Sequence, residues 1–295
     1  MRSAWRRAAG LAAIVTLLAT GASPPRGAGP DNGAGPDNPD NTVASEAERR
    51  LGSSHRPSRS LAGSQGGFFG RRADPQPAAK VPYNGRFAFV RLQYRMGSFG
   101  GGGFGRELPW AHDYPTADHH LTKILEEVSF TATLRDQSNV LTLDDPDLGL
   151  YPAVYMSEPG YWTINDAEER GLRTYLQKGG FIIFDDFRTE HWANLQSVMR
   201  RVMPELQWVQ LDATHPVFHS FFDINKLDLP GYYGEPAFLG LFEDNDREKR
   251  LVAIANYNHD LGEFWEYSAT GLLPVDLTNE AYKFGVNFFI YAMTH

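Results

Sequence analysis

The chain of 295 residues contains no cysteine. That absence excludes thiolate nucleophiles, disulfide frameworks, iron–sulfur clusters and thiolate zinc sites, and with them a lipid-modified N-terminal cysteine. Basic residues are also few, with 28 Lys and Arg against 36 Asp and Glu and a formal net charge of −8. The imbalance is concentrated from Val81 to His295, where 17 basic residues face 30 acidic ones, a net of −13. Protein–nucleic acid affinity depends on Lys and Arg neutralising phosphates, so nucleic acid is not an expected partner. Beyond the first 22 residues no stretch approaches the run of about 18 apolar residues that a membrane-spanning helix needs. There is no G-x-S-x-G elbow, Walker loop or H-E-x-x-H motif, so nucleophile-elbow, P-loop and zincin chemistry have no support. No motif requires a cofactor, and none identifies a metal.

What is present divides the chain into three parts. Residues 1–22 have the pattern of a signal peptide: Arg2, Arg6 and Arg7 precede an apolar run from Ala8 to Ala22, with Thr20 and Ala22 at peptidase positions. The expectation is export to the periplasm or cell envelope, with membrane attachment only if this segment stays uncleaved. Residues 23–80 read as a disordered linker. They carry the near-repeat GAGPDNGAGPDNPDN and few large apolar residues, too little to offset the entropy of ordering. Folding signals begin at Val81, so residues 81–295 form the expected domain.

Within it, strands and helices alternate. Arg86–Tyr94 is a strand by its β-formers, and Asp113–Asp118 opens a helix carrying Leu121, Ile124, Leu125 and Val128 at helical spacing. Tyr151–Met156 is a second strand. Asn165 caps a helix running to about Gln177 that Gly179-Gly180 closes. Phe181–Phe184 is an unbroken apolar run, the pattern of a strand covered on both faces. Thr189 is placed to cap a helix to about Met203. Strands follow near Leu206–Leu211 and Leu251–Asn256, then a helix over about Asn279–Tyr291, with a loop-rich insertion between Ala213 and Leu241. This alternation predicts an α/β three-layer sandwich with a mostly parallel central sheet.

Three blocks, YPAVYMSEPG, NDAEERGLRTYLQKGGFIIFDD and THPVFHSFFDI, resemble the bacterial domain of unknown function 4159 family, over roughly Arg86 to His295. That resemblance implies a flavodoxin-like, class I glutamine amidotransferase-like fold with no established activity. It also implies roles in complexes of the cell envelope. Glutaminase chemistry proceeds through a thioester and needs a thiolate, so a chain without cysteine is excluded from it. Asp185-Asp186 stands where the amidotransferase nucleophile turn would be.

Asp185-Asp186 is the leading candidate site, because open α/β sheets bind ligands beyond the carboxyl ends of their strands. Adjacent strand residues point to opposite faces, so only one carboxylate faces a given side unless the turn re-aims it. Arg188, Glu190 and His191 follow closely, and Glu158 ends the preceding strand. The catalytic candidates are Asp185, Asp186 and His191, with Glu158, Arg188 and His215 as ligand-binding candidates. The site reading expects one carboxylate of the pair to be partly exposed beside the helix that follows. The competing structural reading gives one Asp to helix capping and the other to an arginine. Gly100, Gly102 and Gly105 match G-x-G-x-x-G, but no helix opens at Arg106–Trp110 to receive a pyrophosphate; the segment is a plain loop or a lid flanked by Phe99, Phe104 and Trp110. Asp113, Asp118 and His119 lie where they can converge on the sheet's carboxyl edge, and Asp118 equally suits the first helical turn. Asp144-Asp145-Pro146-Asp147 lacks the spacing of a calcium loop and reads as a turn.

Two functions remain. One is a non-catalytic envelope module that binds a protein or small polar ligand. The other is a carboxylate- or metal-dependent hydrolase using the Asp185/Asp186 turn.

Overall fold

The computed structural model describes residues 79–97 and 108–295. The signal-peptide and linker readings, and the glycines of the G-x-G-x-x-G match, lie outside those residues. The described region is a mixed α/β fold around a seven-stranded, mostly parallel sheet of order β3-β1-β4-β6-β9-β8-β7. In chain order these strands are β1 (Phe87–Gln93), β3 (Thr133–Thr142), β4 (Ala153–Ser157), β6 (Phe181–Phe187), β7 (Val209–Gln210), β8 (Ala237–Phe242) and β9 (Leu251–Tyr257). β2 (Arg95–Met96) and β5 (Trp162–Thr163) form a separate antiparallel ladder. All ladders from β3 across to β9 are parallel, whereas β8 runs antiparallel to both β9 and β7.

Two hydrophobic cores flank the sheet, and the strand sequences show why. Phe87, Phe89, Tyr155, Phe181, Ile183 and Ile254 feed one core, while their chain neighbours Ala88, Val90, Met156, Ile182 and Phe184 feed the other. Strand side chains alternate between faces, so continuous apolar runs are what a doubly covered sheet requires. The first core is completed by α1 (Thr116–Ser129), α4 (Leu261–Glu266) and α5 (Val275–Thr294). The second is completed by α2 (Asp166–Gln177) and α3 (Trp192–Val202). This is the three-layer arrangement that the alternation predicts.

Local signals set several boundaries. Asn165 accepts from the backbone N–H groups of Ala167 and Glu168, and Glu168 returns a bond to Asn165 N–H at 2.9 Å, a full capping box. Gly179, with φ 107, takes the left-handed turn that ends this helix. Other expectations need correction. Thr189 does not cap α3: it starts a 3₁₀ turn, Thr189–His191, and its hydroxyl donates to Asn258 Oδ1 at 3.2 Å. β3 carries no sequence alert because it is a polar edge strand paired only with β1, where burial does not impose alternation. The stretch read as a loop-rich insertion ends in β8, whose order comes from pairing with β9. The last helix extends beyond its expected span, starting directly after Pro274.

Candidate functional site

The carboxyl ends of β4 and β6 lie side by side, with Ser157 in register with Asp185. Past Phe184 the register of β6 against β9 shifts, and Asp186 adopts φ 55. Such an irregularity re-aims a side chain at the end of a strand. The two adjacent carboxylates consequently have unrelated surroundings.

Asp185 is fully buried and fully occupied. Its carboxylate accepts from Tyr155 OH at 2.8 Å, Asn256 Nδ2 at 2.8 Å, and the backbone N–H groups of Leu261 and Gly262 at 2.9 and 3.0 Å. Burial pushes its pKa up to about 6 against the pull of Asn256, Tyr155 and Gly262. It joins the start of α4 to β6.

Asp186 faces a cluster that the sequence does not announce. Its Oδ2 lies 2.8 Å from His112 Nδ1 and accepts from Ser157 Oγ at 3.3 Å, while Oδ1 accepts from Tyr233 OH at 2.7 Å. Tyr233 OH also lies 3.1 Å from Asp260 Oδ2. Asp113 Oδ1 stands 3.4 Å from His112 Nδ1, and Tyr232 OH reaches Glu263 Oε1 at 3.3 Å. Asp113, Asp186, Asp260 and Glu263 are all buried, and partly exposed His112 and Tyr233 form the solvent side. The expected partial exposure of one carboxylate of the pair is therefore not met: Asp186 is 2% exposed. Its neighbours, more than the following helix, set its charge.

The charges order themselves accordingly. Burial opposes charge on His112, but Asp113, Asp186 and Asp260 push its pKa up to about 12. Burial likewise opposes charge on Asp186, yet the His112 and Tyr233 hydrogen bonds hold its pKa below the usual carboxylate value. Burial, and then neighbouring acids, raise Asp113 and Asp260 well above that value. The surrounding acids thus favour charge on His112, and that charge in turn favours the ionised form of Asp186.

Arg91 on β1 builds the floor of this site. Its fully buried guanidinium pairs with Asp118 of α1 at 2.6 Å and donates to the carbonyls of His112 and Trp110 at 2.8 and 3.3 Å. It thereby anchors the segment carrying His112 and Asp113. Asp118 serves this pair and is not a site ligand.

The other sequence candidates separate. Arg188 lies 4.4 Å over the Tyr233 ring on the exposed rim. His191 packs edge-on against Tyr161 at 4.8 Å, and burial lowers its pKa. Glu158 turns away from β4 at φ 46, its N–H donating to Asp185 O. His215 is elsewhere, lining a cavity of about 500 Å³ with Arg247, Arg250 and Tyr291 near the amino end of β9. Sequence reasoning singled out Asp113 and Asp186 but missed His112, Tyr233, Asp260 and Glu263. Asp260 was within reach, because Asn258-His259-Asp260 follows β9 just as Asp185-Asp186 ends β6. Tyr233 sits in an irregular loop with no periodic signal.

A family model described as Domain of unknown function (DUF4159) matches residues 88–293. No curated protein matches the chain.

Proposed function

The chain belongs to this family of unknown function, and from the geometry of its carboxyl edge we propose that it is an exported binding module for a small polar ligand bearing positive charge. One observation carries the reading: four buried carboxylates, those of Asp113, Asp186, Asp260 and Glu263, converge around a single imidazole beside two partly exposed rings. A positively charged group is the ligand that such a surround attracts. Arg188 on the rim suits an acidic substituent on the same ligand. Export rests on the N-terminal pattern of residues 1–22. Among the described residues no helix is long and apolar enough to cross a membrane.

The finer reading of the fold supports the location. Its five mutually parallel strands, numbered in chain order, lie 2-1-3-4-5 across β3-β1-β4-β6-β9. That is the flavodoxin-like order, in which ligands bind beyond the strand ends at the point where the order reverses. Here that point is the gap between β1 and β4, beside Arg91 and Ser157. The same order favours the amidotransferase-like reading of the architecture. The hydrolase alternative fits less well, because both carboxylates of the Asp185/Asp186 turn are already occupied by protein donors.

The test is thermal unfolding of the full chain with putrescine and with lysine as probes, beside Asp186→Asn. The variant keeps size but strips His112 of its counter-charge, with an expected stability loss of about 1.5–3 kcal/mol. The wild type should gain Tm with at least one probe and the variant should not. A wild type indifferent to both, or a variant that responds equally, would sink the proposal.

A further inference from the structure

We infer that this site holds a divalent metal ion of the imidazole-and-carboxylate class, Mn²⁺ or Zn²⁺, with ligands drawn from His112, Asp113, Asp186, Asp260 and Glu263. The inference deepens the binding reading above and rests on it. Ligand atoms of His112, Asp113 and Asp186 all lie within 4.8 Å of one another, as do those of His112, Asp260 and Glu263 and those of Asp113, Glu263 and Glu266. Atoms bound to one ion at about 2.1 Å fall within about 4.2 Å of each other, so each of these groups is close to the size that one ion's shell takes.

Convergent acids alone do not make a metal site, and Asp113 supplies the independent observation. It is 4% exposed, yet neither of its carboxylate oxygens accepts a hydrogen bond among the described residues. Its backbone is held at φ 64, and a Cβ added to Gly262 would come within 2.4 Å of Asp113 Oδ2. Gly262 is thus the residue that leaves room for this carboxylate. A buried acid without hydrogen-bond donors is costly; the His112 ring stands 3.4 Å from Oδ1 without making a hydrogen bond, while the acids Asp186 and Glu263 crowd the same carboxylate. A bound cation is the partner that satisfies both oxygens.

The donor set narrows the ion. Calcium takes six to eight oxygens, whereas a site with an imidazole suits first-row metals. The surrounding bonds are those that orient metal ligands: Tyr233 to Asp186, Tyr232 to Glu263, and Arg91 to the His112 carbonyl.

The experiment titrates the full chain with Mn²⁺, follows free Mn²⁺ by electron paramagnetic resonance, and then competes with Zn²⁺. Asp113→Asn, Glu263→Gln and the exposed control Asp276→Asn are measured alongside. Asn tolerates the left-handed backbone at 113, and Asp113→Asn removes a buried acid, so this variant should fold. One Mn²⁺ per chain is expected, displaced by Zn²⁺, with affinity about 10–100-fold weaker in Asp113→Asn and Glu263→Gln and unchanged in Asp276→Asn. No binding by the wild type at millimolar Mn²⁺ or Zn²⁺, or equal weakening in all three variants, would overturn the metal. If the metal fails while putrescine or lysine still raises the wild-type Tm through Asp186, only this inference falls. If those probes also fail, the binding reading falls with it.

Discussion

Asp185 and Asp186 are neighbours in sequence with opposite surroundings. Asp185 accepts four hydrogen bonds and knits β6 to α4, whereas Asp186 answers the charge of His112. The left-handed backbone at Asp186 produces the difference. His215 shows the same dependence on surroundings at the other end of the sheet. Its Nδ1 accepts from the Val217 N–H at 3.1 Å, capping the 3₁₀ turn Pro216–Phe218, so the folded state requires it neutral. Burial lowers its pKa to about 4, with Arg247 and His295 lowering it further against Asp212. A histidine with a depressed folded pKa leaves the unfolded chain binding the extra proton. Its contribution to stability is therefore full above about pH 6.5 and lost as pH falls from there toward about 4. Asn at this position keeps a capping acceptor but does not titrate. Urea unfolding between pH 7 and pH 4 should show a shallower loss of stability for His215→Asn than for the wild type, and parallel slopes would refute the assignment.

Between elements, Arg91 is the principal tie. It joins the middle of β1 to the first turn of α1 and to the carbonyls of the intervening segment. An arginine within an apolar strand is tolerated only with a partner, because an unpaired buried charge is strongly destabilising. Arg91→Met strands the Asp118 carboxylate, with an expected loss of about 3–5 kcal/mol. In Arg91→Met/Asp118→Leu no charge is stranded, so the double variant should be more stable than Arg91→Met. Denaturant midpoints across this cycle decide the matter, and additive effects would show that the pair is not coupled. Loss of Arg91 should also release the segment that presents His112 and Asp113, linking a core substitution to the site.

At the scale of the whole molecule, the buried residues of both hydrophobic cores, among the described residues, fall between Phe87 and Tyr291. The first described contact of the domain with its own N-terminal edge is Lys80, which pairs with Asp145 and Asp147 at 2.8 and 2.7 Å. Exposed pairs of this kind contribute little, about 0–1 kcal/mol. A chain beginning at Lys80 should therefore unfold cooperatively with a Tm close to that of the full chain. Loss of a cooperative calorimetric transition would show that earlier residues complete the fold. Truncation also isolates the acidic part of the chain, whose net charge of −13 from Val81 to His295 sets what it attracts at long range.

Much of this architecture was legible along the chain. The apolar run at Phe181–Phe184 dictates a strand covered on both faces, because nothing else buries consecutive large side chains in so short a span. The Asn165/Glu168 capping box and Gly179 bound α2 for purely local reasons. The absence of cysteine excludes thiol chemistry without any coordinates. Where local pattern and burial do not coincide, the chain is silent: polar β3 and short β8 become strands only by pairing with β1 and β9. The site belongs to the same category. Asp186 could be singled out as the end of a strand, but His112, Tyr233, Asp260 and Glu263 come from separate loops and from α4. Their meeting depends on the register shift in β6 and on the buried Arg91–Asp118 tie. Local composition determines which segments bury apolar surface, whereas the convergence of distant polar groups is decided by how strand ends are placed side by side.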